Sequence, residues 1–203
     1  MVAKMRNAGE TCVAANRFYV QAGIAEAFTS RLTEAMSVLR MGPGIDRSSQ
    51  VGPMINVQAI EKIDWLVTGA VDGDATVRTG GRAPEGPGYF YEPTVLSQVS
   101  PDSAILDHEI FGPVAPVVCF DTEEEAIGAA NDTEHGLISY VYTSDIDRGF
   151  RMAEAIESGM VALNRGLISD PAAPFGGVKQ SGVGREGSHH GMEEYLELKY
   201  LAW

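Results

Sequence analysis

The spacing of hydrophobic positions changes period several times along the chain, and each change marks an element. Arg17–Gln21 (RFYVQ) is a short aromatic and β-branched run that predicts a strand. Ile24, Phe28, Leu32, Met36 and Leu39 then recur at intervals of four and three, one face of a helix. Arg40-Met41-Gly42 supplies a basic last turn and a glycine stop. Pro43-Gly44 and Gly52-Pro53 punctuate a loop, after which Ile60, Ile63, Leu66, Val67 and Ala70 form a second helical stripe that stops around Gly73. Thr76–Thr79 and Tyr89–Val95 (YFYEPTV) read as extended. Val114–Phe120 is almost wholly apolar, as a strand covered on both faces should be.

Thr122 and Glu125 have the spacing of a capping box opening a helix through Ala130. Ile138–Thr143 predicts a strand. Asp145–Ser158 predicts a helix with Ile146, Phe150, Ala153 and Ile156 inward, and Met160–Asn164 a further strand. Strand and helix alternate with short links, which predicts an α/β fold: a mainly parallel, twisted sheet flanked by helices, with right-handed crossovers. From Arg165 the alternation stops. Loop residues run to Gly187, and Glu193–Trp203 (EEYLELKYLAW) alternates as a terminal strand with no obvious partner in the chain, an edge that points to assembly.

Composition narrows the classes. The 203 residues are 44% hydrophobic and 21% charged, which suits one globular domain with a substantial core. A formal net charge of −13 argues against nucleic acid and against anionic membrane as partners. No apolar run approaches the length of a membrane-spanning helix, and the start of the chain lacks the pattern of a signal peptide. The two cysteines, Cys12 and Cys119, are too few for a disulfide framework, so a reducing cytoplasm is expected. Cys119 sits in the apolar run and reads as core. No Cys/His set has metal-ligand spacing, and the adjacent His189-His190 suit a solvated loop, so no metal is expected.

The chemistry-bearing stretch is Arg6–Cys12 (RNAGETC), one thiol just after a flexible Asn-Ala-Gly turn. At a helix start such a thiol would be shifted toward the thiolate and act as a nucleophile. As an ordinary free cysteine it would be a small buried hydrophobe. Glu109-Ile110-Phe111-Gly112-Pro113 and the loop after Asn164 are placed where ligands gather in parallel sheets, beyond strand ends. Glu109 is either a solvated acid at a turn or a ligand carboxylate; Arg6 and Ser169 are either surface residues or anion binders. Pro174–Gly187 (PFGGVKQSGVGREG) has five glycines but not the spacing of a phosphate loop, and reads as interface or pocket wall. A cysteine hydrolase would need a His partner; His108 and His135 are available, in no recognisable triad context.

Taken together, these blocks resemble the catalytic domain of the NAD(P)-dependent aldehyde dehydrogenase superfamily. RNAGETC resembles its nucleophile motif, EIFGP its coenzyme-contact motif and PFGGVKQSGVGRE its late glycine-rich motif; MGPG, VGPMIN and YEPTV match in the same order. Within the superfamily, Arg6, the GLIS stretch at Gly166–Ser169 and the EYLELKY ending resemble the enzymes that act on succinic semialdehyde. The resemblance implies Cys12 as the nucleophile, its backbone N–H as half of an oxyanion hole, and NAD or NADP as cofactor. It implies Glu109 on the nicotinamide ribose and Phe111 beside the nicotinamide. It implies Arg6 and Ser169 on the substrate carboxylate and Phe175 as a pocket wall. The implied partners are a small aldehyde, succinic semialdehyde, and further copies of the chain in a homo-oligomer.

On the same resemblance, residues 1–188 correspond to the catalytic domain and 189–203 to an oligomerisation strand. The general-base glutamate, the oxyanion asparagine and the coenzyme-binding domain precede this stretch in the superfamily, so the chain alone is expected to be inactive. Another aldehyde as substrate, or a catalytically silent assembly fragment, are the other readings. Two departures stand out: Glu10 replaces a frequent Gln, and Ala14 stands where some relatives carry a second cysteine used as a redox switch.

Overall fold

A computed structural model describes residues 1–203, which fall into two units, Met1–Ala129 and Ala130–Trp203. In the first, a single helical turn, α1 (Val2–Met5), leads into a kinked turn over Arg6–Gly9. Next come β1 (Phe18–Gln21), α2 (Ala22–Ser37), α3 (Val57–Asp72), β2 (Thr76–Thr79), β3 (Thr94–Ser97), β4 (Val114–Phe120) and α4 (Glu123–Asn131). The sheet order is β1-β4-β3-β2; β1 and β3 run parallel to β4, and β2 is antiparallel to β3. The α/β class with a mainly parallel sheet is therefore the one the alternation predicts.

β4 lies between two strands, and Val114–Val118 are buried, as their apolar run requires. Cys119 departs from the expectation of a core thiol: it is exposed, because the covered part of β4 ends one residue earlier. α3 begins at Asn56, whose side chain accepts a hydrogen bond from the Ala59 N–H (2.9 Å), and stops at Gly73. It buries Ile63, Leu66, Val67 and Ala70 against Tyr91, Leu96, Ile105, Ile110 and Val114. Burial of each such aliphatic chain contributes about 2 kcal/mol. α2 buries Leu32 and Met36 but ends at Ser37, ahead of the predicted glycine stop. Met41 instead pairs with Val51 in a parallel bridge, and the Gly42 N–H donates to the Val51 carbonyl (3.0 Å), which pulls the chain out of helical geometry. The capping box forms: the Glu125 N–H donates to Thr122 Oγ1 (3.2 Å), and Glu125 Oε2 accepts from the Asp121 N–H (2.9 Å).

The second unit contains β5 (His135–Gly136), β6 (Ile138–Val141), α5 (Ile146–Ala155), β7 (Met160–Leu163), β8 (Val178–Lys179) and α6 (His190–Glu193). β6 and β7 pair in parallel, and β5 pairs antiparallel with β8. α5 is N-capped by Asp145, which accepts from the Arg148 N–H (3.1 Å). Its predicted inward face is rotated: Ile146 and Phe150 are 56% and 61% exposed, whereas Gly149 is buried against Leu163. A glycine admits the β7 side chain where a larger residue would hold it off, so the helix seats on that face. The predicted terminal strand does not form. A strand exists only through a hydrogen-bonded neighbour, and residues 194–203 pair with none in the single chain, leaving Leu198, Tyr200 and Trp203 fully exposed.

Candidate active site

Asn7, Ala8 and Gly9 all adopt left-handed backbone conformations, with φ of 51°, 55° and 81°. Asn and Gly tolerate that region, while Ala pays about 1 kcal/mol for it. The reversal turns Ala8 and Gly9 inward and presents Cys12 on an exposed turn closed by the Ala14 N–H donating to the Thr11 carbonyl (2.9 Å). Cys12 is thus on a turn and not at a helix start, which corrects the sequence-based expectation. Its own N–H has no acceptor in the chain, so a hydrogen-bond donor stands free beside the sulfur. Glu10 is anchored through Oε1, which accepts from the Ile55 N–H (3.2 Å); burial pushes its carboxyl up, and that hydrogen bond opposes the shift.

The Glu109–Pro113 segment packs directly on this loop. A Cβ on Gly9 would collide with the Gly112 carbonyl oxygen, so the two backbones touch. Asn16, four residues past the thiol, reaches the same segment with both ends of its amide. Nδ2 donates to the His108 carbonyl (2.8 Å), and Oδ1 accepts from the Ile110 N–H (2.8 Å). Lys62 Nζ donates to the Glu109 carbonyl (3.1 Å), and the Trp65 ring meets His108 edge-on with centroids 5.3 Å apart. Phe111 is held at φ 48°, an uncommon conformation for an aromatic residue and one that persists only where surrounding contacts enforce it.

The first unit therefore brings the segments of Arg6, Cys12, Glu109 and Phe111 together. Arg6 is exposed and its guanidinium has no partner, as an anion-binding residue requires. The Glu109 carboxylate is exposed and accepts no hydrogen bond in the chain, although the backbone on either side of it is pinned. A fixed backbone with two free carboxylate oxygens fits a ligand bearing vicinal hydroxyls, such as a nucleotide ribose.

The second unit carries Ser169 and Phe175. Ser169 is exposed. Phe175 is half-buried, bonded through its backbone to Glu186 in both directions (2.8 and 2.7 Å), and lines a cleft of about 200 Å³ with Met160, Ile168, Asp170 and Pro174. Behind it the glycine-rich block packs backbone to backbone: a Cβ on Gly159 would overlap the Gly176 carbonyl. The Arg185 guanidinium donates to the carbonyls of Gly177 (2.7 Å) and Gly184 (2.9 Å). These bonds tie the block to itself. His189 and His190 are exposed, with ring centroids 3.9 Å apart. Asn16 and Lys62 were not legible as site residues, because hydrogen bonds spanning 92 and 47 residues leave no local pattern.

No helix is long and apolar enough to cross a membrane. The model of the aldehyde dehydrogenase family matches residues 1–201. The succinate-semialdehyde dehydrogenase of Paenarthrobacter nicotinovorans is 56% identical over 201 residues, covering 99% of this chain and 45% of that protein. A probable NADP(+) succinate-semialdehyde dehydrogenase of Sinorhizobium fredii is 50% identical over 199 residues, covering 98% of this chain and 40% of that protein. The crystal structure of succinate-semialdehyde dehydrogenase from Burkholderia pseudomallei superposes with a TM-score of 0.96 at 48% identity, over 98% of this chain and 41% of that one. The chain spans less than half the length of these relatives. With an exposed thiol just past a left-handed turn, a Glu-Ile-Phe-Gly-Pro loop packed against that turn, and a family match over residues 1–201, this chain belongs to the aldehyde dehydrogenase family.

Proposed function

We propose that the chain is the thiol-bearing portion of an NAD(P)-dependent dehydrogenase that oxidises succinic semialdehyde to the dicarboxylate. The observation that carries this reading is the exposed Cys12, with an unpaired N–H at its own backbone, on a loop locked to that of Glu109. The Cys12 thiolate attacks the aldehyde carbon, and the free N–H stabilises the oxyanion of the thiohemiacetal. The nicotinamide coenzyme, NAD or NADP, supplies the hydride acceptor when bound. Loss of hydride leaves a thioester on Cys12, which water cleaves to carboxylate and thiol. Glu109 would hold the coenzyme through its ribose hydroxyls, and Phe111 would contribute to the nicotinamide side of that site. Arg6 and Ser169 bind the distant carboxylate of the substrate, Arg6 by a charge-assisted contact, and Phe175 walls the aldehyde chain.

The relatives' greater length supports a division of labour in which further coenzyme contacts and the proton acceptor lie outside these 203 residues. The chain alone then does not turn over. Two free thiols fit a reducing cytoplasm. The exposed apolar tail, Tyr195 to Trp203, supports homo-oligomer formation through strand addition.

The test is protection of the thiol. Succinic semialdehyde should slow alkylation of Cys12 and leave that of Cys119 unchanged, and propionaldehyde at the same concentration should protect Cys12 less. Equal protection of both thiols, or none of either, would sink the reading. Coenzyme reduction by the purified chain would overturn the division of labour.

A further inference from the structure

We propose that Asn16 is a positioning residue that sets the distance between the nucleophile loop and the carboxylate of Glu109. The inference rests on the functional reading above, because it assigns Asn16 a role only through Glu109. One amide grips the two peptide groups that flank Glu109 from opposite sides: Nδ2 donates to the His108 carbonyl and Oδ1 accepts from the Ile110 N–H, each at 2.8 Å. The Glu109 side chain is left free, so only its backbone is held. Asn16 belongs to the segment continuing from Cys12, whose turn is fixed at Thr11–Ala14 and whose Ala15 N–H donates to the Ala3 carbonyl (2.7 Å). The thiol and the carboxylate are thereby referred to one short stretch of backbone.

The chain uses the same device twice more. Asn131 donates to the Ala155 carbonyl (2.9 Å) and accepts from the Glu157 N–H (2.8 Å); Asn164 donates to the Thr143 carbonyl (2.8 Å) and accepts from the Thr143 N–H (2.9 Å). Those two clamps join ordinary loops and strand ends. The clamp at Asn16 differs in what it encloses, an exposed acid with no hydrogen bond of its own. The remaining hold on that acid's backbone is Lys62 Nζ on the Glu109 carbonyl (3.1 Å), and a flexible lysine does not fix direction as a planar amide does. Loss of Asn16 therefore frees the peptide groups around Glu109 without removing any group that touches substrate or coenzyme.

Asn16→Ala removes both bonds. Asn16→Asp keeps the acceptor for the Ile110 N–H and removes the donor to His108; protonating that aspartate at low pH restores an O–H donor in nearly the same shape. Three readouts decide the matter. Hydrogen exchange of the Ile110 amide, measured on the chain itself at one pH, should rise at least tenfold in Asn16→Ala and stay near the parent rate in Asn16→Asp, which keeps that acceptor. The alkylation rate of Cys12, in a Cys119→Ser background, should change less than twofold. In the full-length gene product, the dissociation constant for coenzyme should rise about tenfold while the KM for aldehyde holds, since small misplacements of positioning groups are costly. Unchanged exchange at Ile110, or equal weakening of coenzyme and aldehyde, overturns the proposal. A lowered melting temperature with unaltered coenzyme affinity reduces Asn16 to a structural clamp and also overturns it. If the full-length product binds no nicotinamide coenzyme at all, the functional reading itself fails, and the exchange result separates that outcome from failure of the clamp.

Discussion

Gly9 and Gly112 stand so close that neither segment could approach the other with a side chain at position 9: a Cβ there would lie inside the Gly112 carbonyl oxygen. Gly9 also has φ of 81°, where L residues are strained. The two halves of the candidate site in the first unit thus meet through bare backbone. Gly9→Ala should cost about 3 kcal/mol, from the left-handed conformation and the overlap together. Denaturant unfolding of the variant measures the loss, and a cost under about 1 kcal/mol would mean the loops do not meet as described.

Arg6 makes no contact that holds the fold together, so Arg6→Gln should leave the melting temperature within a degree or two. Its effect should fall on substrates. Protection of Cys12 by succinic semialdehyde should weaken about tenfold or more, the loss of a charge-assisted contact, while protection by an uncharged aldehyde of equal length holds. Parallel losses for both aldehydes would remove Arg6 from carboxylate recognition.

Lys4 is buried in the first unit, and burial pushes its ammonium down to about 7 from an ordinary value of 10.5. Below pH 7 both folded and unfolded chains hold the proton, and the cost of the buried charge is paid in full. Between about 7 and 10.5 the unfolded chain holds more protons than the folded one, so stability rises with pH through that window. The slope from this group is at most about 1.4 kcal/mol per pH unit. Lys4→Met should therefore stabilise the chain at pH 6.5 and flatten the rise between pH 7.5 and 9.5. Unfolding free energies of both proteins across that range check it, and parallel curves would refute it.

Both thiols are exposed, so an excess of a thiol reagent should modify two equivalents in the native chain and one in Cys119→Ser. One equivalent in the parent would place Cys119 back in the core. With Ala14 in place of a second cysteine beside Cys12, peroxide should form no intramolecular disulfide, which mass measurement under non-reducing conditions reads directly.

Removing Tyr195–Trp203 should abolish any self-association, since the tail's apolar side chains are exposed in the single chain. Sedimentation of the full and shortened chains compares them, and an equal mass would leave the tail without that role.

Much of the site was readable in one dimension because its chemistry is contiguous. The RNAGETC and EIFGP stretches each carry a reactive or charged group beside residues that force a turn, and such local combinations survive in sequence. β4 and α3 were readable for the same reason: an unbroken apolar run and a 3.6-residue stripe are properties of single segments. Where burial depends on what a neighbour covers, the pattern misled. Cys119 lies past the covered part of β4, and Gly149 and not Phe150 seats α5. The clamp of Asn16 across Glu109 and the contact of Gly9 with Gly112 were decided only by tertiary structure. Their partners are about a hundred residues away, and a hydrogen bond between distant segments is created by the fold.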